Sequence, residues 1–266
     1  MTTRRRSRSS LSSPAGHGGF IKAVELKPDA PLSSHQYPFS IPAIRNIGHL
    51  YMDPAVTFFV GENGSGKSTL IEAIAVACGF NAEGGSRNFS FATRASESDL
   101  QLYLQIIRNY YRERTGYFLR AESVFNVATQ IEVMDSDPDN RGAGPPIIDS
   151  VGGVSLHEQS HGESFLAIAN NRFGPGGLYI LDEPEAALSP SRQIAFLKLM
   201  HDLVKRGRQL IVATHSPILM ALPGAKIFKL DETGISQIAY EDTDHYRVTL
   251  DFLANRETYI RHLFAT

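Results

Sequence analysis

The sequence predicts an α/β fold in which a mostly parallel sheet carries helices on both faces. Short apolar, β-branched or aromatic runs begin at Val56, Gly116, Gly177 and Gln209. Each is followed by a stretch with apolar residues at helical spacing, the alternation that parallel strands joined by crossover helices require. The chain has 266 residues, 42% of them hydrophobic and 20% charged, which is enough apolar material for one sizeable core.

Along the chain, MTTRRRSRSSLSSPAGHGG carries Arg4, Arg5, Arg6 and Arg8 with no apolar run behind them. Residues 1–19 therefore read as a disordered basic tail rather than a signal sequence. Phe20 to Leu26 reads as a first strand and Lys27 to Pro42, rich in proline, as extended loop. VTFFV (Val56 to Val60) is a fully buried strand stopped by Gly61. GENGSGKST follows it directly, and then LIEAIAVACGF, with Leu70, Ile71, Ile74 and Ala77 at helical spacing. Asn81 to Ser98 should be loop, and Asp99 to about Glu113 a helix. Gly116 to Glu122 is a strand with a helix after it. The acidic, Pro- and Gly-rich segment Asp135 to Gly153 reads as a surface excursion. A helix starts near Ser160 and a strand covers Gly177 to Glu183. In the helix SRQIAFLKLMHDLVKR, residues Ile194, Leu197, Met200, Leu203 and Val204 are expected on one buried face. Strands at Gln209 to Ser216, Lys226 to Asp231 and Ile235 to Tyr240 complete the sheet, and a last helix ends in Tyr259 to Phe264.

Composition narrows the function. Lys plus Arg number 26 against 28 Asp plus Glu, a net charge of −2, so no broad basic field exists and a nucleic-acid partner would need a local patch. The one cysteine, Cys78, excludes an intrachain disulfide and a multi-cysteine zinc site; on its apolar stretch it reads as a packed thiol. A reducing, cytoplasmic setting is the expectation. No apolar run approaches the roughly 18 residues of a membrane-spanning helix, and the best, Leu70 to Phe80, contains Glu72.

Gly61, Glu62, Asn63, Gly64, Ser65, Gly66, Lys67, Ser68 and Thr69 satisfy the phosphate-binding pattern G-x-x-x-x-G-K-[ST]. The residue types follow from the chemistry. Glycines let successive backbone N–H groups face a β-phosphate, Lys67 neutralises β and γ oxygens, and the Ser68 hydroxyl ligates Mg²⁺. The pattern lies between a buried strand and a helix, as ATP binding demands. Leu178 to Leu181 precede Asp182 and Glu183, an apolar strand ending in two acids. Asp182 is the expected Mg²⁺ partner and Glu183 the base that polarises the attacking water.

With these in hand the chain resembles the ATP-binding cassette ATPases. SHGES (Ser160 to Ser164) resembles their signature motif, DEPEAALSP (Asp182 to Pro190) their Walker B and D-loop, and ATHSP (Ala213 to Pro217) their switch-histidine strand end, in the family's order. The resemblance spans about Phe20 to Leu230. It implies a P-loop NTPase fold, with antiparallel strands on the N-terminal side and a small helical subdomain over about residues 99–172 inside one domain, 20–266. It implies Mg-dependent ATP hydrolysis with Glu183, His215 and Lys67 as catalytic residues. Ser160, Gly162 and Glu163 would meet the γ-phosphate of ATP held by a second subunit, His215 would bond the γ-phosphate on its own side, and Ser189 would contact the partner across the dimer. The implied state is a head-to-tail homodimer closed on two ATP molecules.

The family places a Gln after the strand preceding its helical region, touching Mg²⁺. Here that strand ends in FLRAES, where Glu122 is the candidate third metal-site residue and Gln130 the reserve. Tyr37 and Phe39 are alternatives for stacking on adenine. His157 and His161 lack a third ligand for zinc, and Asp135, Asp137 and Asp139 lack the calcium-loop pattern. DEPEAALSP and SHGE are more like soluble members of the SMC and RecF type, and compact bacterial AAA-family ATPases, than like transporter subunits. Only about 93 residues separate Lys67 from Ser160, too few for a long coiled-coil arm. The reading is a soluble ATP-gated dimer, with a role in DNA maintenance or defence and an unidentified protein partner. The alternative is the nucleotide-binding subunit of a transporter.

Overall fold

The computed structural model describes residues 19–33, 35–87, 98–137 and 145–265. Residues 1–18 of the basic tail, 88–97 of the expected loop Asn81 to Ser98, and 138–144 of the acidic excursion with Asp139 lie outside the described residues. The chain runs through β1 (Ile21–Leu26), α1 (Pro42–Arg45), β2 (Leu50–Tyr51), β3 (Val56–Val60), α2 (Lys67–Ala77), α3 (Leu100–Tyr103), β4 (Leu104–Arg108), β5 (Thr115–Arg120) and α4 (Val124–Ser136). It continues through α5 (His161–Arg172), β6 (Gly177–Asp182), α6 (Pro190–Lys205), β7 (Gln209–Ala213), α7 (Pro217–Met220), β8 (Lys226–Asp231), β9 (Gly234–Ile238), α8 (Asp244–Ala254) and α9 (Arg256–Leu263).

The main sheet has the order β5-β6-β7-β3-β8-β9, parallel except for the last pair. All residues of β3, β6 and β7 are buried, which is why these segments read as continuous apolar runs rather than alternating ones. Alternation decides which core each side chain enters. Phe58, Tyr117, Leu181 and Val212 face a core completed by α4, α5 and α6. Phe59, Phe118, Ile180 and Ile211 face one completed by α2 and the antiparallel sheet β2-β1-β4. Each large apolar side chain so buried contributes about 1.5–3 kcal/mol relative to exposure. Gln209, fully buried at the start of β7, ties the two sheets together. Its Oε1 accepts from the Phe20 and Ile21 amides at 2.7 and 2.8 Å, and its Nε2 donates to the Ile21 and Asp53 carbonyls at 2.8 and 2.9 Å. Every polar atom of that amide is satisfied, as burial requires.

Three element expectations need correction. The stretch from Asp99 is helical only through Tyr103; Leu104–Arg108 is a strand paired antiparallel with β1, Ile106 opposite Val24 and Leu104 opposite Leu26. The β-branched pair Ile106 and Ile107 gains more from this cross-strand packing than from a helix. The helical region therefore begins at α4. The described ends of the excursion, 135–137 and 145–153, also carry more structure than their composition suggests. Helix α4 extends through Ser136, the Asp135 carboxylate accepts from the Ile147 and Ile148 amides at 2.7 and 2.9 Å, and Val151 is buried. On α6 the buried residues are Phe196, Met200, Leu203 and Val204, whereas Ile194 is 61% exposed.

Candidate functional site

The carboxyl ends of parallel strands β3, β6 and β7 converge, and the loops leaving them carry the residues singled out in the sequence. After β3 the chain must turn sharply. Gly61 has φ +151°, and a Cβ there would lie 2.3 Å from the Leu230 carbonyl oxygen of neighbouring β8, so only glycine fits. Gly66, at φ +97°, starts α2 in the left-handed region. Lys67 is buried and folds back on its own loop, donating to the Gly61 and Glu62 carbonyls at 2.9 and 2.8 Å. Burial holds its pKa below the ordinary lysine value, while Glu183, Asp182, Glu62 and Glu185 act in the opposite sense. The Ser68 hydroxyl donates to Asp182 Oδ1 at 3.2 Å. Beside the loop lies a cavity of about 670 Å³ bounded by Ile41, Pro42, Gly64, Ser65, Lys229 and Asp244.

Asp182, the last residue of β6, is 4% exposed. Burial pushes its pKa up to about 7, against the opposing pull of Arg120. Arg120 ends the adjacent strand β5 in register with Asp182. Its guanidinium lies 3.5 Å from Asp182 Oδ2, bonds Glu72 at 2.8 Å and pairs with Glu122. Glu122, the candidate for the missing Gln position, has a 70% exposed side chain turned to Arg120, and Gln130 is half-buried on α4. The group that β5 sets next to Asp182 is thus a cation rather than a third oxygen ligand, a feature the sequence reading missed.

Glu183 has φ +47° and ψ +51°, the single non-glycine positive φ among the described residues. Such a conformation is costly for a side chain with a Cβ and gathers at functional sites. Its amide donates to the Ala213 carbonyl at 3.0 Å, which locks the turn to β7. Its Oε1 lies 3.3 Å from Nε2 of His215, on the loop after β7. Glu185 shapes that loop from inside, accepting from the Thr214 hydroxyl at 2.7 Å and the His215 amide at 2.5 Å. Burial raises its pKa. The Ser216 hydroxyl, bonded to Gln193 at 2.6 Å, also caps α7.

The second cluster sits at the start of α5. Ser160 is its N-cap; the Ser160 amide and hydroxyl donate to Glu163 Oε2 at 3.0 and 2.6 Å. Arg192 of α6 donates to Ser160 Oγ at 3.1 Å and to Glu163 at 2.9 Å. These bonds, the Ser160 hydroxyl first, hold the Glu163 carboxyl below its ordinary value. A Cβ on Gly162 would lie 2.7 Å from the Ala187 carbonyl, so glycine lets α5 pass close to the segment after β6. Ser189 caps α6. The described hydrogen bonds of Ser160 and Glu163 run to each other, to Ser164 and to Arg192, none to the phosphate loop. Of the two aromatics, Phe39 is buried edge-on against Tyr103, whereas Tyr37 is 49% exposed with its hydroxyl 3.1 Å from Thr69 Oγ1.

Among the described residues no three His, Cys, Asp or Glu side chains group to hold a metal, and no helix is long and apolar enough to cross a membrane.

Two family models match: one described as "AAA domain" over residues 40–163, the other as "AAA domain, putative AbiEii toxin, Type IV TA system" over residues 155–221. A comparison with curated proteins gives no match. Among solved structures the chain is similar to an SmcHead bound to the C-winged helix domain of ScpA, at 14% identity and a TM-score of 0.51, covering 82% of this chain and 97% of that one. It also matches the SMC head domain from Thermotoga maritima (18% identity, TM-score 0.43, 82% and 98% covered). A third match is cbiO1 from Clostridium perfringens, part of the ABC transporter complex cbiONQ (19%, 0.44, 83% and 91%). The likeness of fold rests on the first of these.

Proposed function

We propose that this chain, which two AAA-domain family models match and whose fold is similar to that of an SMC head, binds and hydrolyses Mg·ATP and that ATP closes two copies head to tail. The observation that carries this reading is the convergence of Lys67, Ser68, Asp182, Glu183 and His215 on three neighbouring strand ends, with the Ser160 cluster bonded elsewhere. Residues Gly61 to Thr69 bind the phosphates through backbone amides at the start of α2. Lys67 exchanges its two carbonyl acceptors for phosphate oxygens. The donor set suits Mg²⁺: two oxygen groups, the buried Asp182 carboxylate and the Ser68 hydroxyl already bonded to it. Ser68 and Asp182 would hold the ion, which would supply positive charge to the bound phosphates. Glu183 accepts the proton of the attacking water, and His215 donates from Nε2 to the γ-phosphate. The adjoining cavity has room for the nucleoside.

Ser160, Gly162 and Glu163 act in trans. With its Ser160 end exposed, α5 offers a helix N-terminus to the γ-phosphate bound by a second copy, with Ser189 near the same contact. A role in DNA maintenance or defence belongs to the same proposal; the description of the second family model, a putative toxin of a Type IV TA system, bears on the defence half alone. Lys67→Ala tests the reading: ATP binding by isothermal titration and phosphate release should both be lost while the far-ultraviolet spectrum is unchanged. Wild-type turnover in that variant would refute it.

A further inference from the structure

The ring of His215 is held from behind by a residue thirty positions later. Its Nδ1 lies 2.9 Å from Nε2 of His245, in the first turn of α8, with the ring centroids 5.0 Å apart at 66°. We propose that His245 is a positioning residue for His215: its Nε2–H donates to His215 Nδ1 and fixes the tautomer whose proton sits on Nε2, facing Glu183 and the γ-phosphate. This rests on the assignment of His215 to the γ-phosphate made above.

The direction of the bond follows from what each atom faces. In a neutral imidazole one nitrogen donates and the other accepts. His215 Nε2 lies 3.3 Å from a Glu183 oxygen, which can only accept, and it is buried with no well-aligned hydrogen bond of its own. Were His215 the donor to His245, its Nε2 lone pair would face the carboxylate and, with ATP bound, the phosphate oxygens, setting acceptor against acceptor. The reverse arrangement gives one consistent relay: His245 Nε2–H to His215 Nδ1, and His215 Nε2–H to the site. Burial, and then His215 itself, hold the His245 pKa below its ordinary value, which favours the neutral ring that this bond needs.

His245 is fixed well enough to do this. Thr243, fully buried, caps α8 by accepting from the Tyr246 amide at 3.3 Å and donates its hydroxyl to the Tyr240 carbonyl at 2.8 Å. Asp244 pairs with Lys229 of β8 at 2.7 Å, and the Tyr246 ring lies 4.7 Å from that of Tyr240. The first turn of α8 is thus clamped on both sides of His245, while Val248, Leu253 and Leu263 further along α8 and α9 are exposed. The first turn of α8 is thereby part of the site, and undocking it would remove the donor.

The test uses the full chain labelled with ¹⁵N at histidine, as wild type, His245→Phe and His245→Gln. Gln keeps a donor at the place of Nε2; Phe keeps the ring without one. Side-chain ¹⁵N shifts should show His215 as the Nε2–H tautomer in wild type and Gln, and as a mixture in Phe. For ATP hydrolysis, kcat should fall about tenfold in Phe with KM within about twofold, and Gln should recover most of the loss. An Nδ1–H tautomer of His215 in wild type, unchanged tautomer and kcat in Phe, or a Gln variant as impaired as Phe would each overturn the proposal. A wild-type chain without ATPase activity would instead refute the reading of the site, and the tautomer measurement would still decide this inference.

Discussion

Replacing Arg120 with methionine removes a charge from the centre of the site while keeping most of the side chain's length. Two buried interactions are lost. The first is the Glu72 bond at 2.8 Å between side chains 16% and 15% exposed, a charged hydrogen bond of about 1.5–3 kcal/mol. The second is the 3.5 Å contact with Asp182. Glu122, 70% exposed, adds little. The Asp182 contribution depends on pH. Its folded pKa, about 7, lies above the unfolded value of 3.8, so ionising it already costs the fold stability as pH rises through 7. Without Arg120 that pKa moves higher. The variant then keeps the proton at pH 8, so the loss from Asp182 is bounded by one pH unit, about 1.4 kcal/mol, and vanishes at pH 6. The sum is about 3–4 kcal/mol at pH 8 and about 1.4 kcal/mol less at pH 6. At about 2–4 °C per kcal/mol the wild-type to variant gap in Tm should be about 6–16 °C at pH 8. Thermal unfolding by circular dichroism at both pH values, with and without Mg·ATP, measures it, and bound Mg²⁺ should narrow the gap by replacing the lost cation beside Asp182. A loss below about 1 kcal/mol at pH 8, or one equal at both pH values, would refute the assignment of Arg120 as the charge partner of Asp182.

Two further outcomes follow from the same geometry. Ser160→Arg sets a bulky cation beside Arg192 and in the path of a partner's γ-phosphate. The variant should bind ATP as a monomer with little change by titration calorimetry yet lose ATP-dependent dimerisation in sedimentation. Because Asp182 must shed a proton to ligate Mg²⁺, Mg²⁺ affinity should weaken by up to about tenfold per unit as pH falls below about 7, with proton release visible in calorimetry across buffers. A flat profile from pH 5.5 to 8 would contradict that role for Asp182.

The legible parts of the fold were those where backbone and side chain agree. VTFFV and LYIL are buried on both faces and could be nothing but central strands. The glycines of the phosphate loop are dictated by φ and by the approach of Leu230. What the sequence concealed depends on long-range neighbours. QIIR became a strand because β1 offers an edge. Ile194 turned outward because the aromatic Phe196, packed edge-on to Phe165, takes the buried face of α6. Arg120, two residues before the expected Glu122, reaches Asp182 because parallel pairing puts the two strand ends in register. His245 carries no local motif; only the return of the chain through β8 and β9 brings it to His215.

Glu183→Gln is the sharpest probe of whether ATP closes two copies of this chain around a composite site. Glutamine keeps the size and reach of Glu183 and its proximity to His215 but cannot take the proton of the attacking water, so hydrolysis should fall by about 10²- to 10⁴-fold. Binding should persist, since Lys67, Ser68 and Asp182 are untouched and one negative charge near the γ-phosphate is gone. Size-exclusion chromatography with light scattering should give the variant the mass of one chain, 29.3 kDa, without nucleotide and about twice that with Mg·ATP. A variant that stays at the single-chain mass in saturating Mg·ATP, or hydrolyses ATP at the wild-type rate, would contradict the account.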